Sequence, residues 1–232
     1  MGRVAGADPA AGDVASIRVL VVDDHRSFGE TLGLAIDMQP DLECVGICET
    51  AAEAIEMAAA THPDVVILDV RLPDADGIDA THALRQACPG TPILIVTAYS
   101  DLELLSRAAA AGVSGLLPKE SPVAEFFAAI RSARTSGMII DRSVLGELLH
   151  RAQTDEGSRK AGIDTHLTPR ETGVLSLMGE GMDTQSISRQ LGIRVSTCRG
   201  YQKSILLKLG AHSQLEAVVV ASRRGLIPAL SA

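Results

Sequence analysis

Aromatic residues are nearly missing from this chain. Of 232 residues none is Trp, two are Tyr and three are Phe, so any core has to be built from Ala, Val, Ile and Leu. Apolar runs are short, and none approaches the roughly 18–20 residues that cross a bilayer as a helix. The opening MGRVAGADPAAGDVAS has no apolar stretch of the kind a secretory signal needs, and position 6 is Gly where a myristoylation motif has Ser or Thr. Residues 1–16 read as a disordered leader and the chain as cytoplasmic. Cysteine is sparse: Cys44, Cys48, Cys88 and Cys198 are scattered, and no Cys or His cluster completes a zinc set. They read as buried free thiols.

What is present is the composition of a globular chain, 46% hydrophobic and 22% charged, which excludes intrinsic disorder. The length suits one or two domains. Charge is unevenly spread. Residues 163–232 carry 8 Lys or Arg and 5 Asp or Glu, a net +3, so the 162 residues before them carry −11. An acidic first part and a mildly basic last part imply different partners for each.

The first 135 residues alternate strand and helix signals. Val65–Leu68 is an unbroken apolar run, β-branched at three of four positions, between Pro63 and the Pro73–Gly77 turn. It is too short for a helix and reads as a strand covered on both faces. Ile17–Val22, Leu42–Ile47, Pro92–Val96 and Gly115–Leu117 are further strands. Helical patterns fall over His25–Met38 (apolar at Phe28, Leu32, Leu34 and Ile36), Ala51–Ala60, Ile78–Ala87, Leu102–Ala111 and Pro122–Thr135. Five such pairs predict an α/β fold, a doubly wound parallel (βα)5 sheet of flavodoxin-like order with helices on both faces.

In a parallel sheet the carboxyl ends of the strands open on one side, where ligands bind. Those ends carry Asp23 and Asp24, Asp69, Thr97 and Lys119. Any one of them alone could be a cap or turn residue; five together mark a site. Three carboxylates repel one another and call for a cation, and oxygen ligands with few protein contacts suit Mg²⁺. Lys119 is a compact charge suited to a phosphoryl oxygen, Thr97 a hydroxyl donor. A metal-neutralised carboxylate can act as a nucleophile and form an acyl phosphate.

The segments VVDDH, ILDVRLPDADG, VTAY and GLLPKE make residues 17–135 resemble the receiver domain of two-component response regulators. The resemblance implies that Asp69 is the phosphoacceptor and Asp24 a direct Mg²⁺ ligand. Asp23 would act largely through water, and the backbone carbonyl of Arg71 would complete the protein ligands. Thr97 and Lys119 would engage the phosphoryl group. Three positions before the lysine, where the family usually has an aromatic switch residue, this chain has Leu116. Tyr99, two positions past Thr97, is the candidate substitute.

Residues 136–162 read as a linker: Val144, Leu145, Leu148 and Leu149 suggest a short amphipathic helix, and QTDEGSRKAG has the composition of a hinge. Residues 163–232 form a second, all-α domain of four helices. Thr168, Pro169 and Glu171 open the first with a capping box. Thr184–Leu191 and Val195–Leu209, joined by the Leu191–Ile193 turn, make a helix-turn-helix, and Gln214–Arg223 is the fourth helix. In the third, Cys198, Ile205 and Leu209 face inward with Tyr201 and Leu206 flanking. Ser196, Arg199, Gly200 and Lys203 share the other face, two basic groups one turn apart beside a glycine, which suits major-groove entry. An ordinary solvated helix face is the plainer alternative.

LTPRE, GMDTQSISRQLGI and STCRGYQKSILLKLGAHSQLEAV resemble the LuxR/NarL-type helix-turn-helix across all four helices. Together the two resemblances identify a NarL/FixJ-type response regulator: a DNA-binding transcription regulator with a sensor histidine kinase as partner, a phosphorylation-promoted homodimer, and no enzyme. The family's common Thr-Val-Lys-x-His-Val stands here as Thr197-Cys198-Arg199-Gly200-Tyr201-Gln202, Gly173 replaces a usual glutamate, and Arg194 a usual Ser or Asn cap. Three rivals compete: a phosphatase of the haloacid-dehalogenase kind, which wants an acid two positions after the nucleophile where Arg71 stands; a pseudo-receiver regulator controlled by ligand, partner or expression level; and an interaction module without DNA binding.

Overall fold

The computed structural model describes residues 16–98, 102–134, 138–140, 142–154 and 166–227. Five strands, β1 (Ile17–Val22), β2 (Leu42–Cys48), β3 (Val65–Asp69), β4 (Ile93–Thr97) and β5 (Gly115–Pro118), form one parallel sheet in the order β2-β1-β3-β4-β5. That is the flavodoxin-like order the strand–helix alternation predicts. The helices between them are α1 (Arg26–Asp37), α2 (Ala51–Thr61), α3 (Gly77–Ala87), α4 (Leu102–Ala110) and α5 (Val123–Arg134).

The period-2 alternation of strand side chains builds two apolar layers. Leu20, Val22, Val66, Leu68, Ile93 and Ile95 pack with α2, α3 and α4 on one face. Val19, Val21, Val65, Ile67, Leu94 and Val96 pack with α1 and α5 on the other. β3 and β4 are buried at every position, as central parallel strands must be. In α1 the inward residues are Phe28, Leu32 and Ile36, at i, i+4 and i+8. Leu34, grouped with them by its apolar character, is 69% exposed, because two positions along a helix turn a side chain to the far side.

The linker helix is longer than its apolar core suggests. α6 spans Arg142–Thr154, and its buried Leu145, Leu148, Leu149 and Ala152 join one apolar cluster with Leu105 and Ala108 of α4. The second domain is α7 (Pro169–Gly179), α8 (Thr184–Leu191), α9 (Val195–Leu209) and α10 (Gln214–Arg223). α10 packs on α6, and the Ser222 hydroxyl donates to the Leu149 carbonyl at 3.2 Å. Thr168 and Glu171 form the expected capping box at the start of α7, with Pro169 in its first turn. Cys48, Cys88 and Cys198 are buried, Cys44 is half-buried, and all four are free. No single helix among the described residues is long and apolar enough to cross a membrane.

Candidate functional sites at the strand ends and on helix α9

Asp23 follows β1 directly, Asp69 ends β3, Thr97 ends β4 and Lys119 follows β5, so the sheet topology brings them to one rim. Asp23 and Asp69 are 1% and 2% exposed. Such burial is costly for a carboxylate unless it is paired, and both are paired with one lysine. Lys119 Nζ lies 2.7 Å from Asp23 Oδ2 and 2.7 Å from Asp69 Oδ2. Its ammonium also stands 5.1 Å from the centre of the Phe28 ring, a cation–π contact. The remaining oxygens are engaged by main chain: the Arg71 N–H donates to Asp69 Oδ1 at 3.2 Å and the His25 N–H to Asp23 Oδ1 at 2.8 Å.

These surroundings move both partners. Burial pushes the Asp69 carboxyl up, and the Lys119 and Arg71 hydrogen bonds only partly offset it. Burial alone would lower the Lys119 ammonium, but its bonds to Asp23 and Asp69 outweigh that and raise it. Lys119 is therefore a firm cation. Asp24 is exposed, and its Oδ1 meets His25 Nδ1 at 2.7 Å. One ligand atom from each of Asp23, Asp24, His25 and Asp69 can lie within 4.8 Å of all the others. Three carboxylates against one lysine leave a net negative pocket, and its mostly oxygen donors fit a hard divalent cation.

Local sequence holds this rim in place. A Cβ on Gly77 would fall 2.0 Å from the carbonyl oxygen of Asp69, so only glycine lets α3 begin against the end of β3. The Gly77 N–H donates to the Val70 carbonyl at 2.7 Å. The other two acids of this loop serve helix starts. Asp76 accepts from the Ile78 N–H at 2.8 Å, and Asp74 from the N–H groups of Ala51 and Ala52 at 2.9 and 3.0 Å. Thr97 is buried, and its carbonyl accepts the Lys119 N–H at 2.9 Å. Tyr99 lies outside the described residues. Leu116 is buried in the cluster that contains α4, α6 and α10.

The second site is a helix face. In α9, Cys198, Ile205 and Leu209 are buried, while Ser196, Arg199, Gly200 and Lys203 are exposed together. A Cβ on Gly200 would meet nothing within 4 Å, so nothing in the protein itself requires glycine there. Arg194 sits at the N-cap without a side-chain hydrogen bond, as expected of a residue that replaces Ser or Asn. The first turn of α9, with Val195 and Arg199, lines a cleft of about 360 Å³ whose other wall includes Arg131 and Ser132 of α5.

Beneath this face lie polar contacts that the hydrophobic pattern does not flag. Gln202 is 2% exposed. Its side chain exchanges hydrogen bonds with the Thr184 hydroxyl at 3.2 and 3.3 Å, and the Ser188 hydroxyl donates to the Thr184 carbonyl at 2.7 Å. The Gln202–Thr184 bonds set α9 against α8. Glu171, also buried, accepts from Ser204 Oγ and Lys208 Nζ at 2.6 Å each and from the Thr168 N–H at 2.7 Å. Burial alone would raise its carboxyl, but the bonds from Lys208, Ser204 and Thr168 hold it down at about 2. Spacing carried the signal for Gln202, which falls on the stripe of Cys198, Ile205 and Leu209. Nothing in the sequence pairs Glu171 with Lys208.

Comparison with known proteins gives both sites a family context. Residues 19–131 match the family described as the response regulator receiver domain, and residues 165–221 match the bacterial regulatory proteins of the luxR family. The chain is similar to the transcriptional regulatory protein LiaR of Bacillus subtilis, 30% identical over 91% of this chain and 99% of that one. It is as similar to DesR of the same organism, 30% identical over 90% and 98%. Among solved structures, a two-component response regulator of the LuxR family from Aurantimonas aligns over 59% of this chain and 98% of its own, with 30% identity and a TM-score of 0.55. The chain belongs to the NarL/FixJ-type two-component response regulators, transcription regulators in which a receiver domain precedes a LuxR-type DNA-binding domain.

Proposed function

We propose that Asp69 is the phosphoacceptor and that α9 reads DNA under its control. The observation that carries the reading is a single pocket in which a buried strand-end carboxylate, two further acids and one lysine meet. One oxygen of Asp69 attacks the phosphorus of a phosphohistidine on a sensor kinase. An O–P bond forms, the P–N bond breaks, and the departing imidazole takes up a proton. Lys119, already 2.7 Å from Asp69 Oδ2, then pairs with a phosphoryl oxygen, and the hydroxyl of Thr97 donates to another. Asp23, Asp24, Asp69 and the carbonyl of Arg71 would hold Mg²⁺, while His25 orients Asp24. When bound, the ion supplies positive charge against the three carboxylates and the transferring group.

On the DNA side, Arg199 suits bidentate contact with a guanine edge, and Lys203 and Ser196 suit phosphates. Gly200 leaves room for the duplex. α5 stands across the cleft from Arg199, so the reading helix enters a major groove once the two domains part. Phosphorylation favours that separation and the pairing of two copies, and tethered reading helices gain affinity without new contacts. The protein works in the cytoplasm as a regulator. With Mg²⁺ and acetyl phosphate, the wild type gains one acid-labile, hydroxylamine-sensitive phosphoryl group and Asp69→Ala gains none. Equal labelling of the two sinks the assignment.

A further inference from the structure

The edge of the sheet beyond β5 is occupied by the chain itself. Ile139 forms a parallel bridge with Gly115. The Leu116 N–H donates to the Ile139 carbonyl at 2.9 Å, and the Ile139 N–H donates to the Ser114 carbonyl at 3.3 Å. The segment 138–140 thus lies against the outer edge of β5 as an isolated parallel β-bridge held by two hydrogen bonds. A side chain at position 115 would prevent this, since a Cβ there would fall 2.4 Å from the Ile139 carbonyl oxygen and 2.5 Å from its Cβ. The room exists only because residue 115 is glycine.

Both ends of this arrangement lead to functional elements. At one end, β5 runs four residues, Gly115–Pro118, straight into Lys119. That lysine bridges Asp23 and Asp69, and its N–H is bonded to the Thr97 carbonyl. A change at the Asp69 pocket therefore pulls on β5 directly. At the other end the segment passes into α6, and Met138, Ile140 and Val144 pack on the apolar cluster shared by Leu116, α4, α6 and α10. α6 is fixed to the DNA-reading domain through α10, with Ser222 bonded to Leu149.

We propose that segment 138–140, seated on the edge of β5 by Gly115 and Leu116, carries a change at the Asp69 pocket to the DNA-reading domain. The proposal rests on Asp69 being the phosphoacceptor. It gives position 116 a coupling role that needs no aromatic ring, because its N–H grips the linker and its side chain lies in the interdomain core. The backbone attachment is a single bridge of two hydrogen bonds, so a small movement of β5 can loosen the segment and free α6 from its station between α4 and α10.

Gly115→Ala unseats the segment from the sheet side, and Ile139→Pro removes the N–H from the linker side without touching β5. Both variants and the wild type are labelled with acetyl phosphate and Mg²⁺, and their DNA affinities are compared with and without the phosphoryl mimic beryllofluoride. Both variants should label as the wild type does. The ratio of affinities with and without mimic should fall by about fivefold or more, within the usual range of allosteric coupling, through tighter binding in its absence. If the wild type responds and both variants respond as fully, the proposal is overturned alone. If the wild type labels at Asp69 but its DNA affinity ignores the mimic, the proposal falls together with phosphorylation control. If Asp69→Ala labels like the wild type, the phosphoacceptor assignment fails first.

Discussion

The strand-end pocket and the exposed face of α9 solve opposite electrostatic problems. In the pocket, opposite charges are buried and satisfied within the protein: Lys119 holds Asp23 and Asp69 at 2.7 Å each. On α9, Arg199 and Lys203 stand exposed, and the polar bonding runs beneath them, from Gln202 to Thr184 and from Glu171 to Ser204 and Lys208. A pocket proposed to bind a cation and then a phosphoryl group needs a removable internal counter-charge. A face proposed to fit a duplex needs exposed charges on a rigid base. Removing a charge should therefore be felt in stability at the first site and in binding at the second.

The largest effect expected of that contrast is at Lys119. Lys119→Ala leaves two buried carboxylates facing each other, and breaking a buried pair costs about 3–5 kcal/mol. Urea unfolding should show that loss without Mg²⁺ and a substantial recovery with it, because the ion replaces the missing charge. Lys203→Ala, on the exposed face, should change stability by no more than about 0.5 kcal/mol. Equal losses for the two would erase the distinction between the sites.

How much of this was legible follows the range of the interactions. Asp69, Asp23 and Asp24 announce themselves because an apolar β-branched run ends in an acid, a pattern local to a few residues. The starts and ends of the helices at Val195–Leu209 and Gln214–Arg223 were equally local. The flavodoxin-like order could be expected from the strand–helix alternation but not counted. The seating of Ile139 on Gly115 was invisible, because a glycine before Leu116 has no local signature beyond its own smallness. The bond of Glu171 to Lys208 joins residues 37 positions apart. The outward turn of Leu34 was hidden by reading its chemistry without its helical phase.

A second test probes the base beneath the reading face through pH. Glu171 has its carboxyl lowered from 4.5 to about 2. Because the folded value is depressed, its contribution is fully present above the unfolded value and is lost as pH falls through the folded one. The window is therefore pH 4.5 down to about 2. A separation of this size corresponds to about 3 kcal/mol of stability at neutral pH. Comparing wild type with Glu171→Gln in urea at pH 7 and near pH 3 should show the gap between them narrowing in acid. A gap that does not change with pH would mean that the carboxylate charge does not hold α7 to α9.

The smallest change separates binding from stability most sharply. A Cβ at Gly200 meets nothing within 4 Å, so Gly200→Ala puts a methyl group on the exposed face of α9 without a clash inside the protein. Alanine in a helix interior is favoured over glycine by roughly 0.5–1 kcal/mol, so the variant should melt a few degrees higher. If the backbone at Gly200 approaches the duplex, the same methyl group weakens DNA binding. Arg199→Ala supplies the reference for a lost base contact, about 1–3 kcal/mol at one base pair with relaxed preference there. Gly200→Ala should instead weaken binding to all sequences alike, since a steric intrusion does not depend on which base it meets. Thermal unfolding together with DNA titration of both variants decides the point. A Gly200→Ala protein that is more stable and binds DNA as well as the wild type would show that α9 does not bring its backbone to the groove at this position, and Arg199 and Lys203 would then reach the bases through their side chains alone.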